Sequence, residues 1–169
     1  MNGYLLDTNA ASVLWDALHR DHGKIKAFLE NISQSPIWIS VVVLAEIEHG
    51  LKTAPKMDGS RQNDVRNEMA KFRLVLDMDK HTVAPYSDLR AELFRKYSPK
   101  DRKGRLTAKR PENLFDRTSA KDLGVQENDI WLASQAIQCN LILVTQDRMS
   151  RLVEVSNSLS EPLRTAKWK

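Results

Sequence analysis

Four acidic residues stand where a chain of alternating strands and helices could bring them to one edge. Asp7 closes the apolar run in 4–9, Tyr-Leu-Leu-Asp-Thr-Asn. Asp147 follows a second apolar run, 141–144, after Thr145 and Gln146. Asp129 opens the helix-like stretch before that run, and Glu46 borders the apolar stripe of Val43, Ile47 and Leu51. Ligands of open α/β sheets sit beyond the carboxyl ends of the strands, so an acid ending a buried strand stands at the mouth of a site. Crowded carboxylates repel one another, and a bound divalent cation removes that conflict. An oxygen-only donor set favours Mg2+ or Mn2+. Such an ion clamps phosphate, lowers the pKa of bound water and stabilises a leaving oxygen, which makes phosphodiester hydrolysis the natural chemistry. Each acid also has a plainer reading. Asp and Glu are mostly solvated, and Asp129 and Asp147 suit helix N-termini, so the case rests on the set. Asp77 and Asp79, two apart at a strand end, read as solvated.

The elements that would position these acids follow from periodicity and punctuation. The run before Asp7 reads as a buried strand, and 8–19 as a helix capped by Thr8 or Asn9. A second helix starts at Asp21 or His22, with Ile25, Phe28, Leu29 and Ile32 at helical spacing. After a break at 33–36, residues 37–40 form a strand ending at Ser40. A helix over 41–52 opens on Val-Val-Val, poor by propensity, so it leans on the stripe that follows. A loop spans 53–60 and a polar helix 61–73; Leu74, Val75 and Leu76 with Met78 read as a strand, with Arg73 to Met78 as an extension of the helix the alternative, and Pro85 sits in the first turn of a helix over 85–97. Asn128 caps a helix over 129–138, which Asn140 ends. The continuous run 141–144 suits a strand covered on both faces. A short helix over 147–153 and a tail ending in an edge strand complete a parallel α/β pattern.

The totals bound the function. A length of 169 residues suits one domain with a real core. No apolar run approaches the ~20 residues that span a bilayer. No basic-then-apolar leader is visible, so cytoplasmic residence and no membrane association are expected. The single Cys139 excludes an internal disulfide and a thiolate cluster, and reads as a small buried residue. His19, His22, His49 and His81 show no ligand spacing, and Trp15, Trp38 and Trp131 lie in apolar stretches that suit a core, with Trp131 alternatively flanking the site. Charge is uneven. Between positions 99 and 121 eight Lys/Arg (Lys100, Arg102, Lys103, Arg105, Lys109, Arg110, Arg117, Lys121) face three acids, leaving the rest of a +4 chain slightly negative. Such a segment is either a polyanion contact or a solvated loop. Its span, 99–124, has little apolar periodicity.

The pieces Leu5-Leu6-Asp7-Thr8-Asn9, Ser40 with Leu44-Ala45-Glu46-Ile47 to Gly50, Asn128-Asp129-Ile130-Trp131-Leu132-Ala133, and Leu143-Val144-Thr145-Gln146-Asp147 resemble, in order, the PIN domain and its VapC-type toxin ribonucleases. The resemblance runs from residue 4 to about 152, and the tail from Arg164 to Trp168 is similar to the family's closing strand. It implies a three-layer α/β/α sandwich around a parallel sheet, one domain over 1–169, and Mg2+- or Mn2+-dependent endoribonuclease activity. Asp7, Glu46 and Asp129 match the core acids, and Asp147 the more variable fourth. Thr8 and Asn9 match neighbours of the first carboxylate, and Thr145 a hydroxyl lining the site. It also implies a homodimer and an antitoxin whose C-terminal segment inserts along the active-site groove. The segment 99–124 is an insertion with no counterpart in that pattern, and its cations Lys100, Arg102, Lys103, Arg105, Lys109 and Arg110 are candidate RNA contacts. Glu127, beside the third motif, is a further candidate outer ligand, and Glu48 faces more toward solvent. A phosphatase with Asp7 as nucleophile would need an acid at position 9 in the haloacid-dehalogenase pattern, where Asn9 stands. The rival from another class is a non-catalytic RNA-binding or protein-interaction module on the same fold, against which the presence of all four acids argues.

Overall fold

The apolar run before Asp7 becomes the middle strand of a five-stranded sheet in the structure, a computed structural model that describes residues 3–56, 58–116, 121–147 and 149–169. In chain order the elements are β1 (Tyr4–Leu6), α1 (Thr8–Trp15), α2 (His22–Asn31), β2 (Ile37–Ser40), α3 (Val41–Thr53), α4 (Gly59–Lys71), β3 (Val75–Leu76), α5 (Val83–Tyr97), β4 (Phe115–Asp116), β5 (Lys121–Asp122), α6 (Glu127–Gln138), β6 (Ile142–Val144), α7 (Ser150–Ser156) and β7 (Arg164–Ala166). Single 3-10 turns occupy Lys80–Thr82 and Pro111–Asn113. Two compact units emerge. The first holds the chain up to Met78 with Asn140–Gln146 and Thr165–Lys169, and the second holds Asp79–Cys139 and Asp147–Arg164. Expectations for Met57 in the loop 53–60, Arg117 and 118–120 in the insertion, and Arg148 in the helix over 147–153 fall outside the described residues.

In the first unit the sheet order is β3-β2-β1-β6-β7, and β1 runs parallel to both neighbours, with Leu5 opposite Trp38 on one side and Leu143 on the other. Leu5, Leu6, Ile39, Leu143 and Val144 are fully buried, as parallel strands covered on both faces require. Helix α1 packs on α2, α3 and α4. Ser40 offsets the poor propensity of the Val-Val-Val turn, because its hydroxyl accepts from the Val42 amide at 3.0 Å and caps α3. Asp58 does the same for α4 through the Arg61 amide, so that helix starts at Gly59 rather than 61. The helix expected over 8–19 stops at Trp15. Beyond it Leu18 is 77% exposed, so no apolar contact rewards a further turn, and the chain continues in turns through Asp16 and His19. The tail forms edge strand β7, whose Ala166 carbonyl accepts from the Thr145 amide at 2.9 Å.

In the second unit α5 packs against α6 and α7 around Leu89, Leu93, Ile130, Leu132 and Leu152. Pro85 is the third residue of α5, where the first-turn amides have no intrahelical acceptor to lose. Helix α6 starts at Glu127 and not after an Asn128 cap. Gln126 is the capping residue, because its amide and the Asp129 carboxylate close a capping box. Helix α7 sits at Ser150–Ser156, later than 147–153. Asn140 ends α6 with φ 53°, a left-handed turn that asparagine tolerates. Cys139 is exposed and not buried, since it lies past the last turn of α6 that faces α5. Among the described residues no helix is long and apolar enough to cross a membrane.

Two expected outcomes follow. A Cβ on Gly3 would lie 2.8 Å from the Pro36 carbonyl oxygen, which accepts from Tyr4 at the start of the sheet. Gly3→Val therefore costs about 1–3 kcal/mol of overpacking strain in urea unfolding, and wild-type stability would contradict this. Glu154 accepts from Lys96 at 2.7 Å, Tyr97 at 2.5 Å and Arg151 at 3.2 Å, and these bonds draw its carboxyl down to about 2 from an ordinary 4.5. A depressed carboxyl stabilises the fold above its unfolded pKa and ceases to do so as pH falls through its folded one. Glu154→Gln should therefore narrow the stability difference between pH 5 and pH 2, measured by thermal melting.

Candidate active site

Asp7 follows β1 directly and caps α1. Its backbone is extended (φ −76°, ψ 174°), and Oδ1 accepts from the Ala10 amide at 2.7 Å. The Asp7 amide donates to the Val144 carbonyl at 3.0 Å, which carries the β1–β6 ladder one residue past the strand. The Asp7 side chain is 2% exposed and sits at the α1 N-terminus. One residue on, the Thr8 hydroxyl donates to Oε2 of Glu46, the sixth residue of α3. This bond brings the second acid to the residue beside the first. The wheel position of Glu46, on the border of the buried Val43–Ile47 stripe, is what lets it reach inward.

The strand register adds Thr145. Leu6 pairs with Val144, so Asp7 and Thr145 are the next residues along two parallel neighbours. Thr145 is 2% exposed and supplies the hydroxyl level with Asp7 just past β6. Asn9 is exposed on α1. Glu46 and Thr8 line one end of a cavity of about 400 Å3 bounded by Ser12, Lys56, Asp58 and Arg61. Arg61 is bonded to Asp16 through Nε at 3.1 Å, which holds the Asp16 carboxyl below its ordinary range and Arg61 above its own. Sequence reasoning missed this pair, because residues 45 positions apart share no motif or periodicity. It also attached no role to Gln146, whose amide oxygen, turned toward the tail, accepts from Trp168 at 3.0 Å and Lys169 at 2.7 Å.

The second unit holds the remaining candidates. Asp129 is half-buried at the third position of α6, with Oδ2 accepting from the Gln126 amide at 2.7 Å. Asp147 is exposed. Glu127 is engaged locally. It takes the Tyr86 hydroxyl and lies 3.4 Å from Arg90, while burial and then the Glu127 bond push the Tyr86 phenol up to about 12. Trp131 stacks on Tyr86 with centroids 3.6 Å apart, so it belongs to a packed pair at half exposure. The six cations Lys100, Arg102, Lys103, Arg105, Lys109 and Arg110 are all exposed.

Among the described residues no three His, Cys, Asp or Glu side chains are gathered closely enough to hold a metal ion. The first unit contributes two carboxylates, Asp7 and Glu46, and two hydroxyls, Thr8 and Thr145. The chemistry of that set, a buried carboxylate among hard oxygen donors, fits Mg2+ or Mn2+ and not a thiophilic ion.

Comparison with known proteins agrees with this architecture. The family model described as the PIN domain matches residues 4–155. No curated protein matches the chain. Among solved structures, the chain is similar to one in a crystal structure of VapBC2 from Rickettsia felis bound to a DNA fragment from their promoter (21% identity, 98% of each chain covered, TM-score 0.63). It is also similar to one in DNA-bound VapBC from Salmonella typhimurium (18% identity, 100% of each chain, TM-score 0.64). A third is VapBC-5 from Mycobacterium tuberculosis, a member of the VapBC family of toxin-antitoxin systems (17% identity, 99% of each chain, TM-score 0.56). At these identities the likeness is one of fold.

The cap on α1 separates structure from charge at Asp7. Asp7→Ala removes the acceptor for Ala10 and should cost about 0.5–2 kcal/mol in urea unfolding, whereas Asp7→Asn keeps a capping oxygen and stays within a few tenths of wild type. Equal losses in both variants would refute that role.

Proposed function

The chain belongs to the PIN domain family, and from that membership we propose that it is a Mg2+- or Mn2+-dependent endoribonuclease serving as the toxin of a toxin–antitoxin pair. The observation that carries this reading is the buried Asp7 carboxylate at the carboxyl end of the central strand, with Glu46 bonded to the adjoining Thr8. Asp7 and Glu46 would hold the divalent ion. Asp129 and Asp147 are proposed as further ligands from their places in the motif order. Bound there, the ion supplies charge neutralisation and Lewis acidity at a phosphodiester.

The chain's own groups prepare the site. The Ala10 amide fixes the Asp7 carboxyl at the α1 N-terminus, so it is held in place before any ion arrives. The Thr8 hydroxyl donates to Oε2 of Glu46 and so holds that carboxylate beside the residue that follows Asp7. Thr145 offers a buried hydroxyl level with Asp7 to orient a phosphate or water. The antitoxin partner is supported by the likeness to a chain of a toxin-antitoxin complex. A homodimer in the cytoplasm is part of the same proposal.

Incubation of the purified chain with a mixed RNA substrate tests the reading. Cleavage should appear with Mn2+ or Mg2+ and stop with EDTA. Asp7→Asn, which keeps the cap, should lower it by more than the ~10–100-fold typical of losing only a supporting group. Cleavage by Asp7→Asn at the wild-type rate, or in EDTA, would overturn it. RNA retarded but never cut would identify the non-catalytic module instead.

A further inference from the structure

The insertion expected as an aperiodic loop contains a small folded hairpin in the second unit. Lys100 bridges Leu106 in antiparallel fashion. The tip closes through Asp101 N–H to the Arg105 carbonyl and Gly104 N–H to the Asp101 carbonyl, both 2.9 Å. Gly104 has φ 78°, the left-handed conformation that glycine supplies without strain. The Asp101 carboxylate fills the turn, accepting from the Lys103 amide at 2.8 Å, the Arg105 amide at 2.9 Å and the Arg105 side chain at 3.0 Å. The arms are stapled at their base. Thr107 donates its amide and hydroxyl to the Pro99 carbonyl, Ala108 donates to the Ser98 hydroxyl at 3.1 Å, and Arg90 on α5 donates to the Lys109 carbonyl at 3.3 Å. Beyond it, buried Pro111 and Leu114 anchor the chain, and Arg151 on α7 bonds Asp116.

This geometry sorts the charges. The one acid of the hairpin is spent on its turn and on Arg105. Among the described residues Lys100, Arg102, Lys103, Lys109 and Arg110 have no acidic partner, and all five are exposed. A fold that consumes its only anion and leaves five cations outward has no internal use for them. A polyphosphate does, and a preformed array loses less conformational entropy on binding than a floppy tail. We propose that the 99–110 hairpin is a preformed, sequence-independent contact for the phosphate backbone of RNA, distinct from the carboxylates. The choice of RNA as the polyanion rests on the ribonuclease reading. The hairpin supplies affinity for the sugar-phosphate backbone and carries no base readout.

The test is binding of a fluorescein-labelled single-stranded RNA to the full chain in the Asp7→Asn background, read by anisotropy across a salt series. Arg102→Ala/Lys103→Ala should weaken binding on the order of ten-fold and lower the slope of log K against log salt by about 1.4, the loss of two single-strand phosphate contacts. The equally exposed pair Arg73→Ala/Lys80→Ala should change neither. Asp101→Ala raises the net charge by one yet dismantles the turn, so it too should weaken binding. Among the described residues neither altered side chain of the first pair makes a bond, and a circular-dichroism melt confirms that the variant is folded. Unchanged affinity and slope in Arg102→Ala/Lys103→Ala, equal losses in the control pair, or tighter binding by Asp101→Ala would each overturn the proposal. So would lost affinity for polyglutamate with RNA affinity intact, which points to an acidic protein. Cleavage is scored separately with Asp7 intact. RNA held through the hairpin but never cut removes the ribonuclease reading and leaves this one standing, and RNA cut with no dependence on the hairpin does the reverse.

Discussion

The first unit depends on one junction, where a buried parallel strand gives way to a helix at Asp7. A strand covered on both faces has to leave the sheet without orphaning its backbone, and a helix has to begin with amides that lack intrahelical partners. Asp7 meets both demands. Its amide continues the ladder onto Val144 and its carboxylate takes the Ala10 amide. The same two bonds fix a buried carboxyl group at the carboxyl end of the central strand, so its placement is a by-product of how the strand must end. Thr8 then ties Glu46 on α3 to this junction. Positioning of both acids thus follows from the sheet order, since β1 lies between β2, which leads into α3, and β6, which presents Thr145.

Much of this was legible because it is local or periodic. The strand-helix alternation, the inward lean of Glu46, the asparagine stop at 140 and the edge strand at the tail all leave marks within a few residues. Other features left none. The end of α1 at Trp15 was hidden because Leu18 continues the apolar spacing, and only the lack of a surface to cover it stops the helix. The Gln126–Asp129 capping box displaced Asn128 because a glutamine cap is unusual and its reciprocal partner is the acid already assigned another use. Arg61 with Asp16, and Gln146 with the tail, are pairings across long sequence separations that no spacing rule encodes.

The insertion shows a third kind of illegibility. Its order does not come from an amphipathic repeat, so periodicity reports nothing. It comes from an aspartate filling a turn, a glycine at positive φ, and side chains of Ser98, Thr107 and Arg90 satisfying backbone groups. Composition alone left a solvated loop and a polyanion contact as alternatives, and the fold bears on that choice by showing where the single acid of the hairpin is used. Acids in the second unit are likewise engaged before any ligand is considered, Asp129 in its cap and Glu127 with Tyr86 and Arg90.

The sheet order also sets a schedule. β1 is made first, but its partner β6 and the edge strand β7 are made last. Pairings between distant parts of a chain close late and slowly, and a ribosome emits its product from the N-terminus. Asp7 therefore waits for Val144 and Thr145 until everything between them has been made, and the sheet edge at which they meet cannot assemble before β6 emerges. The order of strands makes the first junction of the sheet one of the last to be completed.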